Sequence, residues 1–243
     1  MCFTINVNIV RDELERRYGS TLEEESDYRP SYYYHAFSFP DLPVVHSDTS
    51  GVLRVDLMKW GLIPSYTASG TEALRIRDKT LNARAETIEE RPSFRNSFPT
   101  RRCLIPVKGF FEWQHLCGAK VPWYIYHPDE DIISLGALYD RWSDDDGRSF
   151  LNTFTIITTR ANTLLSKIHN TKNRMPLIIG KEQEERWMSP LTSPSEARAM
   201  MKSYPENILS AHTISPLIGN TRADRNVPQL IEPWSRPEEP TLF

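Results

Sequence analysis

Between Cys103 and Thr159 the chain carries five strand-like runs separated only by short turn segments, and this cluster limits the fold more than any other feature. The runs are Cys103 to Val107, Phe110 to His115, Trp123 to Tyr126, Ile132 to Leu138 and Phe154 to Thr159, all rich in β-branched and aromatic residues. No helix-period segment separates them, so parallel crossovers through helices cannot be the rule. Earlier, Leu53, Val55 and Leu57 alternate with Arg54 and Asp56, the period of a half-buried strand, and run into Trp60 and the turn at Gly61. Tyr32 to Phe39 is a further strand-like run, and Met175 to Ile179 another. Helices are expected from Asn8 to Tyr18, closed by Gly19, and around Leu164, Leu165 and Ile168. Ser193-Pro194-Ser195-Glu196 is a capping box opening a helix that runs through Lys202. Strands clustered centrally and not alternating with helices predict an α+β domain around a mixed or antiparallel sheet.

No repeat and no linker divides the 243 residues, so one domain over 1–231 is expected, followed at 232–243 by a proline-containing tail without fixed structure. There is no apolar run of membrane-spanning length and no secretory signal at the N-terminus. Three cysteines, Cys2, Cys103 and Cys117, cannot close a disulfide framework, which makes the reducing cytoplasm the expected compartment.

The net charge of −3 argues against a polyanion ligand until its distribution is read. From Arg75 to Lys108 there are nine basic residues against four acidic ones, and from Gly147 to Lys181 there are six basic residues and no acid. If those two segments share a face, the protein has a basic groove despite its acidic total; if not, they are two solvated surfaces.

Phosphate loops, dinucleotide fingerprints, metal-protease signatures and nucleophile elbows are absent, and the cysteines and histidines lack zinc spacing. No cofactor and no metal is expected, which leaves side-chain chemistry. The most informative residue is Cys2. Removal of Met1 gives a terminal cysteine, whose α-amine (pKa roughly 7.7–8.0) and thiol (about 8.5) each supply some nucleophile near neutral pH. An amine and a thiol on adjacent carbons condense with an aldehyde to a Schiff base and then a five-membered thiazolidine. Three clusters could assist. Asn82, Arg84 and Glu86 recur at two-residue intervals and would share one face of an extended segment. Glu112 sits between Phe111 and Trp113, where partial burial would raise its pKa. His169 stands beside a basic stretch that leads to Arg174. Each alone reads as well as a turn residue, an ion-pair partner or a helix-end histidine.

Taken together and in order, Met1-Cys2, Trp60-Gly61-Leu62-Ile63-Pro64, Asn82-Ala83-Arg84-Ala85-Glu86-Thr87, Gly109-Phe110-Phe111-Glu112-Trp113, Ile168-His169 with Arg174-Met175-Pro176, and Ile218-Gly219-Asn220 resemble the SRAP family, the SOS-response-associated peptidases or abasic-site-processing proteins. The resemblance runs from Cys2 to about Pro233. It implies a single α+β domain with a twisted, barrel-like, mostly antiparallel mixed sheet flanked by short helices. It implies a partner, single-stranded DNA or single-strand/double-strand junctions carrying abasic sites, and a covalent thiazolidine crosslink through Cys2, with Schiff-base lyase activity and self-processing of Met1 also open. In that reading Cys2 is the nucleophile, Asn82 holds the sugar or the cysteine amine, Glu112 is the acid/base, and His169 moves a proton at the sugar hydroxyl. Arg84 and Arg174 contact phosphates, and Trp60 and Trp113 are platforms or core. The protein would be a monomer, associated with the nucleoid when bound to damage. A protein-directed cysteine peptidase built on Cys2, His169 and Glu112, and a non-covalent single-strand-binding module, are the alternatives. The chain departs from the family in three places. Phe3 and Thr4 follow Cys2, so an arginine is missing at position 4, with Arg95 a candidate replacement. His35 to Pro40 replaces an Asn-x-x-Pro segment. Four residues separate His169 from Arg174.

Overall fold

The computed structural model describes residues 2–23, 26–48, 50–116, 118–144, 147 and 149–235; Cys117, Arg148 and the last part of the expected tail, 236–243, lie outside the described residues. Strands β1 (Thr4–Val7), β2 (Ser31–His35), β3 (Asp41–Ser47), β4 (Leu53–Trp60), β5 (Asn82–Arg84), β6 (Arg102–Val107) and β7 (Gly109–Leu116) precede β8 (Ala119–Tyr126), β9 (Ile133–Ser143), β10 (Phe150–Arg160), β11 (Arg174–Pro176), β12 (Ile178–Ile179) and β13 (Ser210–Thr213). Short helices α1 (Arg11–Tyr18), α2 (Gly70–Arg77), α3 (Pro92–Arg95), α4 (Thr163–Ile168), α5 (Glu184–Met188) and α6 (Pro194–Met200) are interspersed. The α+β expectation holds. Among the described residues, no helix is long and apolar enough to cross a membrane.

The larger sheet closes on itself. β4 pairs with β3, β3 with β6, β6 with β9 and β9 with β10, all antiparallel, and β10 returns to β4 in parallel. The result is a five-stranded mixed barrel, with no free edge where the sheet meets itself. β9 and β10 are long, eleven residues each, and each buries a continuous run, Ile133–Leu138 and Thr153–Thr159, as expected where both faces are covered. β5, β11 and β12 extend this sheet outside the ring.

The second sheet, in the order β13-β8-β7-β1-β2, carries the start of the chain as its fourth strand. β1 lies between β7 and β2 and is wholly buried. Gly109 leaves room for β8 beside β7: a Cβ there would fall 2.5 Å from the Ile125 carbonyl and 2.6 Å from the Tyr124 ring. Tyr124 itself is bonded through its hydroxyl by the Asn6 amide at 3.0 Å.

Most expected elements are present with shifted ends. The first helix begins at Arg11, three residues later than its pattern, and ends at Gly19, which takes the left-handed conformation at φ 67° that glycine adopts without strain. The capping box at Ser193 and Glu196 forms in both directions. The run Tyr32 to Phe39 stops as a strand at His35 and turns through Ala36–Ser38, with Phe39 at φ 50°. The expected loose tail is fixed at its start, where the Trp234 N–H donates to the Thr213 carbonyl at 2.8 Å and the Thr213 hydroxyl to the Trp234 carbonyl at 2.6 Å. Trp234 thereby continues the pairing of β13.

Candidate active site

Cys2 lies two residues before the start of β1 and is fully buried. The register between β1 and β7 pairs Ile5 with Phe110 and Asn6 with Gly109. Continued backwards, it sets Phe3 opposite Glu112 and lays Cys2 alongside. The opposite side of Cys2 is held by β5: the Asn82 amide donates to the Cys2 carbonyl at 2.9 Å. Asn82 is delivered by parallel pairing with Ile156 on β10 and by Trp60, whose indole N–H donates to the Leu81 carbonyl at 2.8 Å.

The thiol sits in a place that disfavours its charge. Burial raises its pKa, the nearby Glu112 charge raises it further, and the Thr4 N–H acts in the other direction. Glu112 is buried too, and burial pushes its carboxyl up to about 7, against the pull of the Trp113 N–H and the Lys172 charge. His169 caps the C-terminus of α4. Burial lowers its pKa to about 4, and positive charge on Lys172 and His115 works in the same direction. The ring is therefore neutral near pH 7. Its Nδ1 lies 2.9 Å from the Arg174 carbonyl, which only accepts, so Nδ1 carries the proton and Nε2 the lone pair. Nδ1 also lies 3.6 Å from Glu112 Oε1. With both groups shifted toward neutrality, this contact is not a salt bridge.

The loop after His169 is folded back so that its length does no harm. The Lys172 and Asn173 N–H groups both return to the His169 carbonyl, and Asn173 takes a left-handed conformation at φ 51°. Asn170 clamps the loop to β7 as a strand neighbour would: its amide donates to the His115 carbonyl at 2.8 Å and its carbonyl accepts the His115 N–H at 3.1 Å. Arg174 thereby comes back beside His169.

Two clefts reach the neighbours of Cys2, one at Glu112 and His169 and the other at Asn82. One, of about 320 Å³, is lined by Phe3, Glu112, Trp113, His115, His169 and Lys172, with Lys120 at its side. The other, of about 460 Å³, has Asn82 at its inner end and Lys79, Arg84 and Arg91 on its walls, with no acidic residue lining it. A larger cavity of about 640 Å³ beside Tyr124 and Tyr126 is rimmed by Asp129, Glu130 and Asp131, a poor surface for a polyanion.

Cys2, Asn82, Glu112 and His169 are thus brought together. Arg84 is exposed in the same cleft as Asn82, whereas Glu86 leaves that face because the chain turns at Ala85. Arg174 is buried, with its guanidinium on Glu86 at 2.6 Å and on the Thr158 carbonyl and hydroxyl. It braces β10 against the turn after β5. Trp60, considered as a platform, is a core residue: it is fully buried and stacked on Phe154 with ring centroids 5.7 Å apart, which leaves no face for a base. Arg95 is exposed at the end of α3 but lines neither cleft, while Arg91, one turn earlier, does. Lys79, Arg91 and Lys172 were hidden in the sequence as three members of longer basic runs. The basic cleft at Asn82 draws on the first basic segment, and Lys172 of the second lines the cleft at Glu112. Several members of the basic segments serve the fold, among them Arg102, buried on five carbonyls, and Lys108, paired with Glu13 and Asp131.

Comparison with known proteins gives a consistent result. A family model described as SOS response associated peptidase (SRAP) matches residues 1–221. The abasic site processing protein YoqW of Bacillus subtilis is 34% identical over 210 residues, covering 86% of this chain and 88% of that protein. The abasic site processing protein HMCES of Gallus gallus is 30% identical over 239 residues, covering 88% of this chain and 70% of that protein. A crystal structure of a protein from Bacteroides thetaiotaomicron superposes with a TM-score of 0.89 at 36% identity, covering 96% of this chain and all of the other. One from Bordetella bronchiseptica, at 20% identity and a TM-score of 0.73, shares the fold.

Proposed function

The chain belongs to the SRAP family, and from that premise we propose that it captures abasic sites in single-stranded DNA, or at single-strand/double-strand junctions, as a covalent adduct of Cys2. The observation that carries this reading is a buried Cys2 whose carbonyl is held by Asn82 and whose thiol lies within reach of the Glu112 charge, itself 3.6 Å from His169, with a basic cleft at Asn82 and a second cleft at Glu112 and His169. Once Met1 is removed, the Cys2 α-amine adds to C1′ of the ring-opened sugar aldehyde and water is lost, giving a Schiff base. The thiol then adds to the same carbon. Its proton passes to Glu112 and on to the former imine nitrogen, which closes the thiazolidine with no external reagent.

The electrostatics suit this order. A thiol held protonated cannot attack first, so the amine leads and sulfur follows with Glu112 as base. A carboxyl at about 7 exchanges protons in both directions near neutral pH, which suits closure and reversal alike. Neutral His169 meets the sugar hydroxyl through Nε2, and the negative charge of a phosphate raises its readiness to take a proton. The same Schiff base opens a lyase branch if a base removes the C2′ proton and the 3′ phosphate leaves, and hydrolysis of the Met1–Cys2 bond would use the same acid/base pair. Lys79, Arg84, Arg91 and Lys172 supply the phosphate contacts, and a single copy of the chain contains the whole site.

The test is a denaturing gel of the protein with an abasic oligonucleotide. A shifted band that survives denaturation is expected, absent for Cys2→Ala and absent when an uncleavable residue precedes Cys2, since the amine is then an amide. A stable adduct from that extended chain would refute the terminal-amine chemistry. Cleavage of protein substrates without an adduct would favour the peptidase alternative, and native-gel binding alone the non-covalent one.

A further inference from the structure

A row of rings leads away from Cys2. Phe3 lines the cleft that holds Glu112 and His169, and its ring centroid is 5.2 Å from that of Phe37. Phe37 lies 5.5 Å from His35, and His35 stacks on Tyr33 at 6.1 Å with 19° between planes. The row ends in a cation: the Arg225 guanidinium carbon sits 4.1 Å over the Tyr33 ring, and its Nη1 donates to the Tyr33 hydroxyl at 2.7 Å.

The row is rigid and partly open. His35 is fixed by Thr4, a fully buried residue, with 3.0 Å between the Thr4 hydroxyl and His35 Nδ1. The Ala36 N–H donates to the Phe3 carbonyl at 2.8 Å, tying the turn that carries Phe37 to β1. Phe37 is nonetheless 54% exposed. An aromatic face beside a reactive centre, ending in a guanidinium, matches a single strand in chemistry: bases offer π-faces without regard to sequence, and the backbone offers a phosphate to the cation.

We infer that Phe3, Phe37, His35 and Tyr33 form a stacking track for the unpaired bases on one side of the lesion, with Arg225 holding a phosphate at its far end. This rests on the reading above and gives the captured strand a direction: one flank lies on rings, the other runs into the Lys79, Arg84 and Arg91 cleft.

The experiment uses single-stranded oligonucleotides containing a tetrahydrofuran abasic analogue, which has no aldehyde and forms no adduct. Phe37→Ala is expected to weaken binding about tenfold by fluorescence anisotropy, and Phe37→Trp, which restores a stacking face, to stay within about threefold of the parent. Arg225→Ala is expected to lower the salt dependence by about one phosphate contact. 2-Aminopurine placed in turn on each side of the analogue should be quenched on one side only, and that quenching should vanish in Phe37→Ala. Matching thermal melts confirm folding of each variant. Parental affinity in Phe37→Ala, or equal quenching on both sides, overturns the track. With true abasic DNA, the parent protein should form an adduct that survives denaturation. Failure of the parent to form any adduct would instead count against the covalent reading, and the analogue binding data would still decide the track.

Discussion

Replacing Glu112 by glutamine should make the protein more stable and less active, and the size of the first effect follows from the site. Burial lifts the Glu112 carboxyl from its ordinary 4.5 to about 7 in the folded protein. A carboxyl whose folded pKa lies above its unfolded one stabilises the fold at low pH and loses that contribution as pH rises through the window from 4.5 to about 7. Glutamine has the shape of the protonated acid and does not titrate, so it escapes the loss. Linkage gives a gap in unfolding free energy, in favour of the variant, of roughly 1 kcal/mol at pH 5 that widens to roughly 3 kcal/mol at pH 8. Equilibrium urea titrations of parent and Glu112→Gln at the two pH values measure it. Over the same pH range adduct formation by the variant should be slower by roughly 10²- to 10⁴-fold, the usual worth of a positioned acid/base. A stability gap that stays constant between pH 5 and pH 8, or that favours the parent at pH 8, would refute the argument, because Glu112 would then titrate as an exposed carboxylate does.

Asn170→Ala removes both bonds that clamp the His169 loop to β7; it should cost about 1–2 kcal/mol in denaturant unfolding and slow adduct formation by more than that loss accounts for. Arg84→Ala should reduce the slope of log affinity against log salt by about 0.7, whereas Arg174→Ala, which removes a buried brace, should lower the melting temperature; a titration series in salt beside thermal melts separates the two. Arg102→Lys keeps the charge but has three donors for five carbonyls, and a loss of at least about 3 kcal/mol is expected by urea unfolding.

The central strands were legible because each is short, β-branched and bounded by turn residues, and the burial of Glu112 was legible from the aromatic residues on both sides of it. Closure of the barrel was not, since the parallel pairing of β10 with β4 joins Thr153 to Lys59 across a long separation that no local period encodes. β3 was missed because Asp41, Pro43 and His46 interrupt its apolar pattern, and only burial against β4 and β6 makes it a strand. Trp60 and Arg174 illustrate a further limit. A tryptophan and an arginine near a DNA-processing motif look like ligand contacts in one dimension, yet Trp60 spends its N–H on the Leu81 carbonyl before β5, and Arg174 spends its guanidinium on Glu86 after β5 and Thr158 on β10. The aromatic row crosses from β1 to β2 and reaches residue 225, so it exists only once the chain is folded.

A buried, protonated thiol at Cys2 also has a bearing on shelf life. Peroxides and alkylating agents attack thiolates, and the sulfenic acid that forms first leads on to irreversible products. Full burial keeps the proton on the Cys2 sulfur and keeps bulk reagents away, so the thiol should be slow toward small oxidants and alkylating agents. On the function proposed above, each captured lesion would consume one thiol, and the burial that looks like a handicap for a nucleophile would preserve it until that use.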